Sequence, residues 1–442
     1  MRMFREHRER FLEVLEREGA AAIVPTGALK IRNHDSEYRF RPHSDFWYLT
    51  GFREPDAVLV LVPRATDARS VLFLNDRDRA AETWTGRRLG VEAAPAALGI
   101  DRAYPASELW QRLPELLPGH ERIVHRFGDD PERDRRLAEI VTGIAARERR
   151  GRTVPRQWVD PALWLHELRL VKDAAELACM RRAAAVSSEA HRAVMRAGRP
   201  NATEAELDAL LDYTFRRRGG TGSAYGNIVA GGANACILHY RENDRRLVDG
   251  ELCLVDAGCE WDFYASDVTR TFPVNGRFSG EQRALYELVL ASERRALECI
   301  RPGATQTEVH ETALGVLVDG LIELGLLAGP REKALEAETY KRFYMHRTGH
   351  WLGLDVHDVG AYSADGKPRP FVPGMVTTVE PGVYVAEDDD TVEARWRGIG
   401  IRIEDDVLVT ASGHEVLTAD VPREVDDVEA ASGRALERSA RS

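Results

Sequence analysis

The stretch Leu252–Phe272, LCLVDAGCEWDFYASDVTRTF, reads as two strands folded back on each other around a polar tip at Trp261-Asp262. With the turn centred there, Asp256 falls directly across from Asp267. Two carboxylates opposed on one sheet face repel and destabilise the pair. Two readings are open at this point. A cation between the charges offsets the repulsion, or one Asp is a turn residue and the other is simply exposed.

Around this hairpin the chain repeats a pattern. Ser188–Gly198 ends in RAVMRAG and leads into Thr203-Glu204 and a helical stretch; Glu293–Gly303 ends in RALECIRPG and leads into Thr307-Glu308 and another. Both second helices open on a capping-box spacing, Thr203-x-x-Glu206 and Thr305-x-x-Glu308. Strand patterns follow each pair, in 223–272 and in 343–409. Two helices and then strands, used twice, predict a pseudo-twofold unit with a cleft where its halves meet.

The rest of the chain sets limits. Its 442 residues suffice for two or three domains, and 43% hydrophobic with 30% charged residues is ordinary globular composition. A net charge of −11 gives no footprint for nucleic acid. The charged, helix-patterned start has no apolar core of a signal peptide, and no run is long enough to span a membrane. The five cysteines form no CxxC pair, which favours buried reduced thiols, a cytoplasmic location and no zinc–thiolate site. In the first part, residues 4–18, 108–117 and 131–149 read as helices; 21–24, 46–49, 57–62, 71–74 and 122–127 read as strands. Together they predict a small α/β domain with a mixed sheet and no phosphate-binding glycine loop. The polar, proline-bearing segment 150–161 marks a boundary, a long helix follows over 173–196, and the end from about Asp420 is expected to be loosely ordered.

Chemistry-bearing residues gather in the second half. HRTGHWLGLDVHD, 346–358, holds three histidines among glycines that let backbone approach closely. It lacks HExxH, so a zinc-protease helix is not indicated. In MVTTVEPGVYV, 375–385, Glu380 interrupts a buried-strand pattern, where a charge is either coordinating or sits at a surface strand end. GIGIRIED, 398–405, alternates, so Arg402 and Glu404 share a glycine-lined face, as an ion pair or as a ligand with its support. His239, alone in the apolar run CILHY, reads as structural. Asp256, Asp267, Glu380, Glu404 and one or more histidines make an oxygen-rich set. Four carboxylates overcharge one divalent ion; two ions sharing bridging carboxylates balance them, and Mn²⁺ suits the donors better than structural Zn²⁺.

The segments VDAG, SDVTRTF, HxxxHWLGLDVHD, TVEPGVY and GIGIRIEDD, over about 173–415, resemble the dinuclear metallopeptidases of the pita-bread fold. That group includes methionine aminopeptidase, prolidase, aminopeptidase P and the metal-free creatinase. HSDFWYLTGFREPDAVLVLVP and ETWTGRRLG look like the N-terminal domain of the bacterial aminopeptidase P branch. The resemblance implies an α/β (α+β) chain: a creatinase-like α/β domain at 1–165 for oligomer contacts or a cleft wall, a pita-bread catalytic domain at 166–420 and a polar tail at 421–442. It implies Asp256, Asp267, His350, Glu380 and Glu404 as metal ligands, with Asp267 and Glu404 bridging two divalent ions, Mn²⁺ first and Co²⁺ or Zn²⁺ next. Glu380 would shuttle a proton, His239 and His346 would stabilise an oxyanion, and His357 would support the substrate backbone. Arg402 would sit beside the site, and Trp84 would wall a neighbouring subunit's site. The implied reaction is hydrolysis between residue one and a proline at residue two by a metal-bridged hydroxide, in a cytoplasmic homodimer or homotetramer with neither nucleic-acid nor membrane partners. The alternatives are an Xaa-Pro dipeptidase (prolidase) and an inactive peptide-binding module.

Overall fold

The computed structural model describes residues 2–148, 151 and 153–433. The chain divides into two compact units, Met1–Arg169 and Leu170–Ser442.

The first unit is built on a six-stranded mixed sheet. Ala20–Pro25 pairs antiparallel with Val58–Leu61, which pairs antiparallel with Ser70–Leu74. The remaining neighbours, Arg102–Pro105, Arg122–Val124 and Gln157–Val159, join in parallel. The central strands are buried except for the half-buried Pro25, as their largely Ala, Val, Leu and Ile runs require. The helix Arg2–Arg17 buries Phe11, Leu12 and Leu15 at helical spacing.

One strand assignment fails. Phe46–Leu49 lies in the helix Ser44–Thr50, ended by Gly51 in the left-handed region at φ 65°. All seven helical residues are buried, so the apolar face spreads round the helix and its period disappears. The predicted helix end at Arg149 and the linker's Arg150 lie outside the described residues.

The second unit has the repeated pattern in three dimensions, and it is a pita-bread fold. Helix Ala174–Ala197 packs on Glu204–Arg217, and Gly280–Cys299 packs on Gln306–Glu323. Thr203–Glu206 and Thr305–Glu308 both form capping boxes. Each helix pair leads to a three-stranded antiparallel sheet: Ile228–Gly231, Leu252–Asp256 and Thr269–Pro273 in one half, Val376–Val379, Asp405–Val409 and His414–Val416 in the other. An antiparallel bridge between Thr269 and Glu404 links the two halves.

Each half also contains an interrupted hairpin. In the first, Asp256 pairs with Thr269, and the register carries through to Glu260 opposite Ala265. Asp267 therefore stands opposite Gly258, not opposite Asp256 as the sequence suggests. The turn is centred one residue later than expected, on Asp262 and Phe263, at φ 48° and 66°. Asp267 still shares a sheet face with Asp256, diagonally. A Cβ on Gly258 would lie 1.6 Å from the Ser266 carbonyl oxygen, so the interruption demands glycine. In the second hairpin Val379 pairs with Asp405 and Gly382 with Arg402; carried across the break, this register puts Glu380 opposite Glu404.

The end of the chain corrects another expectation. Val425–Ala431 is helical, with Val425 and Val428 buried in the core of the second unit. Residues 434–442 of the expected tail lie outside the described part.

Candidate metal centre

The interruptions in the two hairpins bring the acidic side chains together. Asp256 ends its strand with Oδ2 accepting from Arg402 Nη2 at 2.7 Å. Its Oδ1 lies 2.6 Å from the Tyr225 hydroxyl, which is also 2.5 Å from Asp267 Oδ1. Asp267 is anchored from below, its backbone N–H donating to Asp406 Oδ1 at 3.0 Å. Glu404 Oε2 accepts from the Thr269 hydroxyl at 2.7 Å, and Thr269 in turn accepts from Arg402 Nε at 3.1 Å.

His350 comes from the glycine-bearing loop. A Cβ on Gly349 would meet the Thr378 carbonyl oxygen at 2.1 Å, so only glycine lets this loop lie against the strand. His350 Nδ1–H donates to the Trp351 carbonyl at 3.0 Å, which turns Nε2 inward. Nε2 then lies 3.4 Å from Asp267 Oδ2 and 3.6 Å from Glu380 Oε1. Donor atoms of Asp267, His350 and Glu404 fall within 4.8 Å of one another. The five residues expected as ligands thus converge on the floor of one cleft of about 650 Å³.

Charge in this cluster is unbalanced. Burial pushes Asp256 up, Glu380 up to about 7 and Glu404 well above the carboxylate range. Burial opposes the ionised form of Asp267 too, but His350 and Tyr225 outweigh it and hold this carboxyl low. For His350, burial is outweighed by the Asp267 hydrogen bond and the charges of Glu380 and Asp267, so its imidazole rises to about 9. Tyr225 has one proton for two carboxylate oxygens. Hard oxygen donors, one correctly turned imidazole and a deficit of positive charge are the conditions a pair of divalent cations satisfies.

The other expected residues line the same cleft: His239, His346, His357 and Arg402. His346 differs from the freely donating group expected. Its Nδ1–H donates to the Arg347 carbonyl at 2.8 Å, and its Nε2 lies 2.8 Å from the Tyr384 hydroxyl, which itself accepts from Arg402 Nη1 at 2.9 Å. Both nitrogens are engaged, and burial with the Arg402 charge lowers the ring to about 3, so it is neutral. His239 and His357 make no hydrogen bond to any described residue. His239 is exposed rather than structural. A Cβ on Gly400 would lie 2.3 Å from the Ala235 carbonyl oxygen, so that glycine serves packing rather than a ligand. Trp84 belongs to the first unit, on the helix Arg79–Thr85, and is 90% exposed.

Tyr225, Tyr384, Thr269 and Asp406 are not signalled by the sequence. Thr269, Tyr384 and Asp406 lie inside the segments that carry the resemblance, but their parts, like that of Tyr225, depend on strands brought together from distant positions.

This fold and this site define a metallopeptidase. Residues 178–411 match the model of metallopeptidase family M24, and residues 4–125 match that of the aminopeptidase P N-terminal domain. The chain is 43% identical over 428 residues to the Xaa-Pro aminopeptidase of Escherichia coli K12, covering 97% of this chain and 96% of that protein. It superposes on the aminopeptidase PepP of Pseudomonas aeruginosa with a TM-score of 0.94 at 48% identity, covering 97% of each chain. Against zinc-substituted E. coli aminopeptidase P in complex with product the TM-score is 0.93 at 43% identity, again over 97% of each. The chain belongs to metallopeptidase family M24.

Proposed function

We propose that this chain is an Xaa-Pro aminopeptidase, removing residue one from peptides whose second residue is proline. The observation that carries the reading is the convergence of Asp256, Asp267, His350, Glu380 and Glu404 on one cleft floor beneath two imidazoles, His239 and His357, with uncommitted nitrogens. Likeness to the E. coli and P. aeruginosa enzymes along nearly the whole chain supports it.

Those five residues would hold two divalent ions, with Asp267 and Glu404 shared between them. The chemistry such ions supply is activation of water and polarisation of the scissile carbonyl. The chain's own groups do the rest. Glu380 takes a proton and passes it to the departing proline nitrogen. His239 and His357, which line the cleft, then serve as the donors that stabilise developing negative charge and steady the substrate backbone. His346 acts through its neighbours: its Nδ1 lies 3.6 Å from Glu380 Oε2, and its Nε2 accepts from Tyr384. Arg402 fixes Asp256 and polarises Tyr384.

The oxygen-rich donors support Mn²⁺ as the native metal, with Co²⁺ or Zn²⁺ as substitutes. The exposed indole of Trp84 supports a homodimer or homotetramer, and the five unpaired thiols support a reducing, cytoplasmic setting. Among the described residues no helix is long and apolar enough to cross a membrane.

An assay comparing an Xaa-Pro dipeptide with an Xaa-Pro-Yaa tripeptide tests the assignment. Cleavage of the tripeptide supports it; cleavage of the dipeptide alone assigns a prolidase instead.

A further inference from the structure

Two arginines line the cleft among the described residues, Arg402 and Arg347. Arg402 is buried and committed to Asp256, Tyr384 and Thr269. Arg347 is different. Its side chain is exposed and makes no ion pair or hydrogen bond with any described residue. It nevertheless faces the cleft: after burial, its charge is what holds the His310 ring down, at about 4, from the adjoining wall.

Its position along the cleft follows from its neighbours. His346 Nδ1–H donates to the Arg347 carbonyl, which pins the backbone of Arg347 beside the His346 ring. The same nitrogen lies 3.6 Å from Glu380 Oε2. On the reading above, Glu380 hands its proton to the leaving nitrogen, so the departing fragment lies on this side. A planar guanidinium with no partner among the described residues is suited to a carboxylate, which it can bind through two parallel hydrogen bonds.

We infer that Arg347 is a specificity-determining residue that binds a carboxylate on the leaving fragment, either the C-terminus of a tripeptide or an acidic side chain at residue three. The inference rests on the assignment of Glu380 as donor to the leaving nitrogen.

The test uses the metal-replete full-length enzyme and three peptides: Ala-Pro-Gly with a free C-terminus, Ala-Pro-Gly amide, and Ala-Pro-Glu amide. The wild-type protein should favour one or both carboxylate-bearing peptides over the neutral amide by about ten-fold in kcat/KM, as one exposed charge-assisted contact supplies. That ratio should fall toward one in Arg347→Gln, through KM rather than kcat, and recover in part in Arg347→Lys. Whichever acid is preferred identifies the source of the carboxylate. Equal kcat/KM for all three peptides in the wild-type protein, or a preference that survives Arg347→Gln, overturns the inference. Cleavage of the neutral amide reports separately on the Xaa-Pro aminopeptidase reading, so the two can fail independently.

Discussion

Glu380 and Glu404 stand opposite each other across the break in one antiparallel hairpin. Glu404 is buried and Glu380 half-buried, and the charge of Glu380 raises the affinity of Glu404 for a proton. Facing carboxylates in a sheet are destabilising on their own. Here the ladder opens where they meet, and the diagonal pair Asp256 and Asp267 in the other half does the same. The fold holds acidic groups together at two interruptions, and cations bound there would offset the repulsion.

Replacing Glu380 by Gln keeps its shape and removes its ability to carry a proton. Turnover should fall by about 10²-fold or more, while the melting temperature stays close to that of the wild-type protein. Steady-state kinetics at matched metal content check this. Near-wild-type turnover would remove Glu380 from the proton-transfer step.

Tyr225 holds Asp256 and Asp267 through one hydroxyl. Tyr225→Phe deletes that contact and leaves the ring in place. Metal retention should weaken by about 10- to 100-fold, the usual range for a group that orients ligands. Titration with a competing chelator measures it; unchanged retention would make the hydroxyl a packing contact only.

Arg270 and Asp405 form an ion pair at 2.7 Å with both side chains 0% exposed. Arg270→Met leaves Asp405 with less compensation in the interior and should destabilise the protein by about 3–5 kcal/mol. Denaturant unfolding gives the value. A loss below about 1 kcal/mol would show that Arg423, 2.9 Å from Asp405, suffices alone.

Glu293 gives a pH dependence of known sign. Burial, then the charge of Asp405, pushes its carboxyl up to about 8 despite Arg423 at 2.8 Å. The folded protein therefore binds this proton more tightly than the unfolded chain does. The associated stability is present below the ordinary carboxylate range and is lost as pH rises through about 8. Melting temperatures from pH 5 to 9 should fall more steeply for the wild-type protein than for Glu293→Gln. Parallel curves would show that Glu293 stays ionised.

Much of the fold and site is legible in the sequence because the signals are local. Capping boxes, helical spacing and buried-strand runs are written within a few residues, and so are the acidic interruptions of those runs. Register is harder. Placing the turn on Asp262-Phe263 rather than Trp261-Asp262 changes every cross-strand partner, and two non-glycine residues at positive φ give no compositional warning. Phe46–Leu49 misleads because a fully buried helix has no polar face to reveal its period. The helix Val425–Ala431 misleads for the opposite reason, since two valines anchor an otherwise polar segment. Tyr225, Tyr384 and Asp406 acquire their parts only after distant strands pair.

Metal-dependent removal of one residue ahead of proline is tested most directly on two pentapeptides, one with proline and one with alanine at the second position, with products followed by mass. Each is incubated with metal-loaded protein, with chelated protein, and with chelated protein given Mn²⁺ again. The expected result is loss of the first residue from the proline peptide alone, abolished by chelation and restored by Mn²⁺. Equal cleavage of both peptides, or undiminished cleavage by protein shown to have lost its metal, would contradict it.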